Sequence, residues 1–362
     1  MSRIEIRPYN GDLEALRRLA YHSWMAEYSS HAGSSWPDLY TTVLSRYYFE
    51  SGEDPHLLVG AYLDSELVGF LANLPRQYRF RGRQYKGMVS GLLAIHPEVP
   101  GAIGLMLAAC LQGNRAYEID LSLFTLEKGH KTLRLANKLR ADKPQSAPLT
   151  TCLVRMQPLV LAIDFDTIQK HEGLGLLQTM VIKIWGAHRP ILPGPPEGMV
   201  RPCQPRDLPG ILALIEQVSD QDQLVRVFDL PTLERRFNSG DLSNQLGGMV
   251  VYEREGEIKG FISFSTYVMV TARGSHPWAW IDLVCWDGCS PDEKHNLIAG
   301  IWYHSKERGC IGVLVWNRQR ISHLPFCQAG FFPYPRLMNL QVGILNPAIS
   351  LQGVSGVFEQ IM

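Results

Sequence analysis

The chain lacks net charge, a membrane-length apolar run and a cysteine framework. Its 35 basic residues balance 35 acidic ones, so no overall field attracts it to nucleic acid or to an anionic membrane. The longest apolar stretch, 103–111, is far too short to cross a bilayer, and residues 1–6 hold no apolar core of signal-peptide length. The seven cysteines are an odd number in 362 residues, which favours reduced thiols over disulfides. We therefore expect a cytoplasmic protein without a membrane partner.

What the chain does contain is a long internal repeat. An Arg-Pro pair, followed by Asp-Leu and a helical apolar run, occurs twice, as do a Gly-Phe pair and an apolar strand. These landmarks lie at residues 7 and 201, 69 and 260, and 92 and 283. The offsets are 194, 191 and 191 residues, so three separate landmarks give nearly one spacing. A unit of that length is a whole domain rather than a solenoid repeat, so the sequence predicts two copies of one domain.

A stretch rich in proline and glycine, 190–198, separates the two copies, and few helical or sheet hydrogen bonds can form there. We place an N-terminal domain at 1–165, a connecting helix and linker at 166–198, and a C-terminal domain at 199–362. Apolar spacing within 168–185 predicts the connecting helix. A duplicated fold usually has its function in one copy or between the two.

Both copies have the same predicted order of elements: strand, helices, three antiparallel strands, helix, strand, helix and strand. The elements predicted in the first copy lie at 4–7, 13–24, 39–48, 57–62, 66–74, 78–80, 85–95, 105–112, 119–126, 133–139 and 151–160. Those of the second copy lie at 200, 208–218, 248–252, 258–267, 278–286, 290–308, 311–316 and 337–342. An antiparallel meander followed by a helical crossover predicts a mixed α/β sheet in each copy.

One run of the first copy carries chemistry. An apolar strand ending at Ile95 is followed by His96-Pro97-Glu98, a short glycine-containing loop that ends at Gly104, and a helix. Together with the order of elements, this run resembles the GNAT superfamily of acyl-CoA-dependent N-acyltransferases. The resemblance implies two tandem GNAT-like domains of α/β class. In that family, backbone N–H groups of the loop and helix start bind the cofactor pyrophosphate, because the helix N-terminus attracts anions and glycine allows close approach.

The resemblance implies that the first copy binds acetyl-CoA or another acyl-CoA. The residues that would contact this cofactor are Leu93, Ala94, Ile95, Val99, Pro100, Gly101, Ala102, Ile103 and Gly104. The Arg or Gln that usually begins the family's loop is absent here, and the loop is one residue short. An ordinary strand-to-helix turn with glycine for tight geometry is the alternative interpretation.

The second copy departs from this pattern. The run Ser290-Pro291-Asp292-Glu293 predicts a capped helix start with a capping box. Two acids then occupy the first turn, where they would repel a pyrophosphate, and proline removes one amide donor. In the family a tyrosine four residues before a Gly-Phe pair protonates the leaving thiolate. Phe326 stands at that position, before Gly330-Phe331. We therefore expect a degenerate second copy.

Acyl transfer to an amine needs a base for the amine proton and donors for the developing oxyanion. The candidate bases are Glu127, at the end of a predicted strand, and His96, with His130 as a third. Each also fits an ordinary surface role. The candidate oxyanion donors are backbone amides near Ala94 and Ile95. The leading hypothesis is an N-acyltransferase acting on a small-molecule or peptide amine. The alternative is a catalytically silent ligand-binding or regulatory protein of the same fold.

Two weaker patterns suggest other partners. Cys285, Cys289, Cys310 and Cys327 lack the paired C-x2-C spacing of structural zinc sites, so we predict no metal. A basic turn is the only feature that supports a tRNA-dependent peptide-bond former; it consists of Arg79, Arg81, Arg83 and Lys86. A solvated hairpin tip is the simpler interpretation, and the neutral chain argues against nucleic acid.

Overall fold

The computed structural model describes residues 3–28, 35–38, 57–127, 149–184, 189–194, 200–218, 223–237, 247–286, 288–316, 321–334 and 337–359. The helices predicted at 39–48 and 133–139, and His130, lie outside these ranges. The described helices are α1 Leu13–Tyr28, α2 Ala102–Ala116, α3 Phe165–Glu172, α4 Leu176–Ile184, α5 Leu208–Val218, α6 Leu230–Phe237, α7 Pro291–Glu307 and α8 Leu324–Gln328. None of them has the length and apolar character needed to span a membrane.

The strands of the described ranges form two mixed sheets. They are β1 Glu5–Pro8, β2 Trp36–Pro37, β3 Leu58–Leu63, β4 Glu66–Phe80, β5 Arg83–Ile95, β6 Leu121–Glu127, β7 Leu149–Met156, β8 Leu159–Ala162, β9 Val200–Pro202, β10 Gln223–Arg226, β11 Gly247–Arg254, β12 Glu257–Thr271, β13 Gly274–Cys285, β14 Gly312–Val315, β15 Phe332–Pro333, β16 Met338–Ile344 and β17 Gly356–Phe358. The first sheet has the order β1-β3-β4-β5-β6-β16-β7, and the second β15-β8-β14-β13-β12-β11-β9. The predicted mixed α/β class is confirmed.

The hairpins form where the sequence predicts them. Asp64 and Ser65, with φ of 48° and 71°, join β3 to β4. Arg81 and Gly82, with φ of 49° and 71°, join β4 to β5. Two consecutive residues with positive φ give the turn whose twist matches the flanking strands. These two turns set the register of the antiparallel meander that leads to the loop after β5.

The two sheets exchange strands. β16, from the second half of the sequence, lies between β6 and β7 of the first sheet. β8, from the first half, pairs with β14 and β15 of the second sheet. The single strand predicted at 151–160 is wrong, because the chain leaves the first sheet at Gln157-Pro158 and enters the second. The predicted bounds 1–165 and 199–362 describe the sequence repeat. Each sheet, however, contains strands from both of these ranges.

Smaller strands reinforce this exchange. β2 pairs with β12 of the second sheet, whereas β10 pairs with β4 and with β17 in the first. Buried ion pairs stabilise the contact of β10 with β4 and β17. The fully buried Glu359 carboxylate, which directly follows β17, lies 3.2 Å from the guanidinium of Arg226 on β10. The C-terminal part of the chain is therefore part of the first sheet.

Two helices cover the first sheet at β4 and β5. Leu92 and Ala94 pack with α1, in a cluster that includes Leu16 and Leu19. Leu93 and Ile95 pack with α2, in the cluster around Met106. Since successive side chains of a strand point to opposite faces, α1 and α2 lie on opposite faces of the end of β5. The loop between β5 and α2 crosses from one layer to the next.

The helix predicted at 168–185 is two helices. α3 ends at Gly173, whose φ of 64° is a left-handed cap, and α4 begins at Leu176. α4 directs its apolar residues to solvent rather than to the core, since Leu177 and Ile184 are each 76% exposed. The apolar spacing correctly predicted helix, but it did not show which side would face the protein.

A buried polar network ties α3 to the second sheet. Tyr334 donates its hydroxyl proton to Glu172, and the other Glu172 oxygen lies 2.9 Å from His171 Nδ1. His171 Nε2 lies 3.2 Å from the carbonyl oxygen of Met269 on β12. His171 and Glu172 are both buried. The network therefore joins three separate parts of the chain.

We expect Tyr334→Phe to lower the free energy of unfolding by about 1–3 kcal/mol, because it removes a hydrogen-bond donor from a buried carboxylate. Urea unfolding followed by circular dichroism measures the change. Tyr303→Phe is the control, since the Tyr303 hydroxyl makes only a long bond of 3.4 Å to the Pro193 carbonyl. Equal losses in both variants would contradict a special role of the network.

Candidate functional site

The strands β5 and β6 part from each other. They pair in parallel only at Gly87, Met88 and Val89 of β5. β5 then continues to Ile95 alongside β4, while β6 continues to Glu127 alongside β16. A gap therefore opens between two parallel strands toward their carboxyl ends. Ligands of α/β sheets characteristically bind beyond the carboxyl ends of such strands.

A β-bulge lies on β5 beside the gap. Leu71 of β4 stands opposite two residues, Leu92 and Leu93, because the register shifts between Phe70 and Ala72. Leu92 has φ of 56°, which is unfavourable for a leucine by roughly 1–2 kcal/mol. Bulges redirect backbone groups and are frequent next to functional sites. The strain at Leu92 marks this part of β5 as a candidate site.

The loop after β5 is a compact turn that leads into α2. The His96 amide donates to Val68 O at 2.8 Å, the Val99 amide to His96 O at 2.9 Å, and the Ala102 amide to Val99 O at 3.1 Å. Gly101 precedes the helix with φ of −63° and ψ of −21°, and no side chain caps the helix start. The first turn of α2 contains no acidic residue.

Glycine at this helix start is required neither by backbone conformation nor by packing. Gly101 has ordinary helical angles that any residue adopts. A Cβ atom added to Gly101 or to Gly104 would meet no atom within 4 Å. The alternative interpretation, glycine for tight geometry, therefore lacks support from the structure. The two glycines leave open space beside the first turn of α2, as an approaching phosphate requires.

The equivalent helix start in the second copy is occupied by its own side chains. Ser290 Oγ accepts from the Glu293 amide at 3.3 Å, and Glu293 Oε2 accepts from the Ser290 amide at 2.6 Å. Glu293 also receives the Tyr252 hydroxyl at 2.5 Å and Arg254 at 3.1 Å. The hydrogen bond from Tyr252 is the main cause that lowers the Glu293 pKa. The predicted capping box is confirmed, and an ionised carboxylate lies at the helix start.

Both candidate bases lie at the carboxyl end of a strand that borders the gap. His96 directly follows β5, and its Nδ1 accepts a long hydrogen bond of 3.4 Å from the Glu98 amide. Its ring centre lies 6.2 Å from that of His22 on α1. Glu127 is the last residue of β6, opposite Met338 in the register. The roles of His96 and Glu127 remain predictions.

Side chains of α1 contact the edge of β5 that faces the gap. The Ile95 amide donates to Ser23 Oγ at 3.1 Å, and Trp24 Nε1 donates to Leu93 O at 3.3 Å. The Ile95 amide, a candidate oxyanion donor, is thus bonded to a side chain, whereas Ala94 stands opposite Phe70 on β4. Sequence reasoning missed Ser23, because it lies within the apolar spacing of an ordinary helix.

A cluster of polar side chains lies at the narrow end of the gap, just beyond the point where β5 and β6 stop pairing, on the side that α2 covers. Asn73 Oδ1 accepts from Ser90 Oγ at 2.8 Å and from Cys110 Sγ at 3.3 Å, and Ser90 Oγ lies 3.4 Å from Ser122 Oγ. Asn114 Oδ1 is buried beside them without a hydrogen-bond partner among the described residues. Burial raises the pKa of the Cys110 thiol, which therefore stays protonated. We call these five residues the polar cluster.

Two other sequence features lie away from the gap. Phe326, at the position of the family's tyrosine, is 1% exposed and packs against Trp286 and Phe331 at ring distances of 5.1 Å. In the basic turn, Lys86 pairs with Glu118 at 2.9 Å and Arg81 stacks on Phe80. Neither feature supplies a group to the gap.

Comparisons with solved structures agree with this architecture. N-myristoyltransferase of Saccharomyces cerevisiae with bound myristoyl-CoA matches all of this chain and 85% of its own, with a TM-score of 0.76 and 14% identity. A GCN5-related N-acetyltransferase from Kribbella flavida matches 95% of this chain and 72% of its own, with a TM-score of 0.53 and 10% identity. A probable N-acyltransferase from Enterococcus faecalis V583 matches 98% and 74%, with a TM-score of 0.51 and 13% identity.

No protein-family model and no curated protein sequence matches the chain. The structural likeness nevertheless defines the fold, because it extends over both copies and both sheets. The chain has the tandem fold of GNAT-superfamily N-acyltransferases, the fold that N-myristoyltransferase also adopts. The predicted fold resemblance is confirmed.

Proposed function

We propose that the protein transfers an acyl group from an acyl-CoA to an amine, and that the first copy binds the acyl-CoA. The contrast between the two helix starts carries this proposal. The start of α2 has two glycines, open space and no acid, whereas the start of α7 is occupied by Glu293. Only the first arrangement attracts a pyrophosphate.

The residues present fit such a cofactor. Backbone groups of 99–104 would hold the pyrophosphate. The edge of β5 from Leu93 to Ile95, where Ser23 and Trp24 already bond to the Ile95 amide and the Leu93 carbonyl, would border the pantetheine arm along the gap. Bound acyl-CoA supplies an activated thioester carbonyl. In the transfer, the amine nitrogen bonds to the acyl carbon and the C–S bond breaks. The sulfur leaves with the bonding electron pair, and the nitrogen loses one proton to a base.

Glu127 and His96 remain the proposed bases, because Glu127 ends β6 and His96 follows β5, the two strands that border the gap. The amine is a small molecule or a peptide. All seven cysteines are free thiols, which supports the proposal of a cytoplasmic protein.

The polar cluster supports a short acyl group, such as acetyl. Its members join β4, β5, β6 and α2 by mutual hydrogen bonds at the narrow end of the gap. A long alkyl chain that passed this point on the α2 side would separate buried polar groups from their partners, at about 1–3 kcal/mol for each group. The yeast enzyme with bound myristoyl-CoA suggests a long chain by fold analogy alone, and fold does not determine substrate.

Calorimetric titration of acetyl-CoA into the full chain tests the proposed function. We expect one site per chain and competition by free coenzyme A. Thiol release, followed with a chromogenic disulfide, then measures turnover on a panel of primary amines and short peptides. Absence of heat with both acetyl-CoA and myristoyl-CoA would overturn the proposal.

Acyl length gives a separate prediction. We expect kcat/KM with acetyl-CoA to exceed that with myristoyl-CoA by roughly tenfold or more, since 1.4 kcal/mol corresponds to a factor of ten. Asn73→Leu combined with Ser90→Ala removes two polar groups and should narrow this ratio. The control is Ser65→Ala, in the exposed turn between β3 and β4. Preference of the wild-type protein for myristoyl-CoA would contradict the short-chain assignment.

A catalytically silent binding or regulatory protein is the second candidate. The observation that favours it is Phe326. This phenylalanine is packed in the core at the position where the GNAT family has the tyrosine that protonates the leaving thiolate. Binding of acetyl-CoA without thiol release on any amine of the panel would establish this alternative.

A further inference from the structure

The Ser23 hydroxyl binds a backbone amide at the edge of β5 that borders the gap. It lies on α1, and its Oγ accepts a hydrogen bond of 3.1 Å from the Ile95 amide. That amide would otherwise face the gap, because β5 has no β6 partner beyond Val89. The backbone donor at Ile95 is therefore replaced by a side-chain hydroxyl that extends from the same point.

The Ser23 hydroxyl proton is still available for donation. The Ile95 amide uses a lone pair of Oγ and leaves the O–H free to donate. Within the described residues, the structure gives this proton no acceptor. Accepting one hydrogen bond also polarises a hydroxyl and makes it a stronger donor. Ser23 thus combines a fixed oxygen position with an unused proton at the strand edge.

We propose that the Ser23 hydroxyl donates a hydrogen bond to the carbonyl oxygen of the acyl group during transfer. This inference rests on the proposed function and names a further donor for the same site. Ser23 keeps its proton throughout and stabilises the negative charge that develops on that oxygen. A donor that is preorganised by its own hydrogen bond does not have to reorient when this charge appears.

The neighbouring residue offers a matched control. Trp24 Nε1 donates to Leu93 O at 3.3 Å, so it also joins α1 to the same edge of β5. Its N–H is already used in that bond, and it has no second proton to offer. If the contact between α1 and β5 were only structural, Trp24→Phe and Ser23→Ala would have similar effects. If Ser23 is a donor to substrate, only Ser23→Ala affects the acyl carbonyl.

The experiment uses the full chain with acetyl-CoA labelled with ¹³C at the carbonyl carbon. A hydrogen bond to the carbonyl oxygen moves the ¹³C resonance downfield on binding. We expect this displacement in the wild-type protein, in Ser23→Thr and in Trp24→Phe, and its loss in Ser23→Ala. With an amine that is turned over, Ser23→Ala should lower kcat about 100-fold or more, with KM nearly unchanged.

The outcomes separate this inference from the proposed function. Failure of acetyl-CoA to bind the wild-type protein would overturn both. Binding with the same ¹³C displacement in wild type and Ser23→Ala would overturn the role of Ser23 and leave the proposed function standing. If Ser23→Ala does not fold, Ser23→Cys and Ser23→Thr provide the comparison, because a thiol is the weaker donor. Equal displacement in those two variants would again overturn the role of Ser23.

Discussion

The double variant Gly101→Asp, Gly104→Asp is expected to bind acetyl-CoA at least about 100-fold more weakly than the wild-type protein. Both positions are open at the start of α2, so the new side chains would lie at the proposed pyrophosphate site. Two carboxylates there repel phosphate oxygens by on the order of 1–4 kcal/mol each at short range. They also reproduce the acidic helix start of α7, where Glu293 occupies the same place. Calorimetric titration measures the loss of affinity.

The variant should fold normally. A Cβ atom added at either position meets no atom within 4 Å, and acidic residues stabilise a helix N-terminus. Gly113→Asp is the control, because it adds one carboxylate of the same kind to α2 at a site that is equally open. It lies roughly 14 Å along the helix from Gly104, at 1.5 Å per residue. Unchanged binding in a folded double variant would show that the loop is only a turn.

Features that depend on neighbouring residues were predictable. The hairpin at Asp64-Ser65 and the capping box at Ser290 follow from residues within a few positions of each other. The two helix starts could thus be distinguished from the sequence, because the chemistry of a helix start is local.

Contacts between distant residues were not predictable. Ser23 and Ile95 are 72 positions apart, and no residue type at position 23 indicates a hydrogen bond to a strand edge. The polar cluster is similar, since Asn73, Ser90, Cys110 and Ser122 come from four different elements. The outward face of α4 was missed because periodicity indicates an amphipathic helix without saying what lies on either side.

The exchange of strands was hidden for a different reason. A repeat in sequence suggests that each copy forms its own sheet, and connections between neighbouring strands are usually short. The pairing of β16 with β6 and β7 brings together residues more than 180 positions apart. Strand propensity correctly indicated β16, but it merged β7 and β8 into one strand, and it contains no information about which sheet a strand joins.

This exchange predicts that neither half of the chain folds alone. The fragment 1–198 would lack β10, β16 and β17 of the first sheet, and β6 and β7 would lose the strand that separates them. The fragment 199–362 would lack β2 and β8, and with β8 the link between β14 and β15. Each fragment also leaves polar strand edges unpaired. We expect both to be unfolded or aggregated, as measured by circular dichroism and size-exclusion chromatography.

Co-expression of the two fragments is the control, because it keeps the chain break and restores every strand. We expect the pair to assemble into a complex with the size and circular dichroism of the intact chain. The intact chain should unfold in a single transition, since the two sheets cannot separate without breaking the β6–β16–β7 ladder. A cooperative melting transition in the isolated 1–198 fragment would show that β16 is dispensable. The proposed acyl-CoA site would then be independent of the second copy, whereas the shared ladder makes the β6 side of the gap depend on a strand from the other end of the sequence.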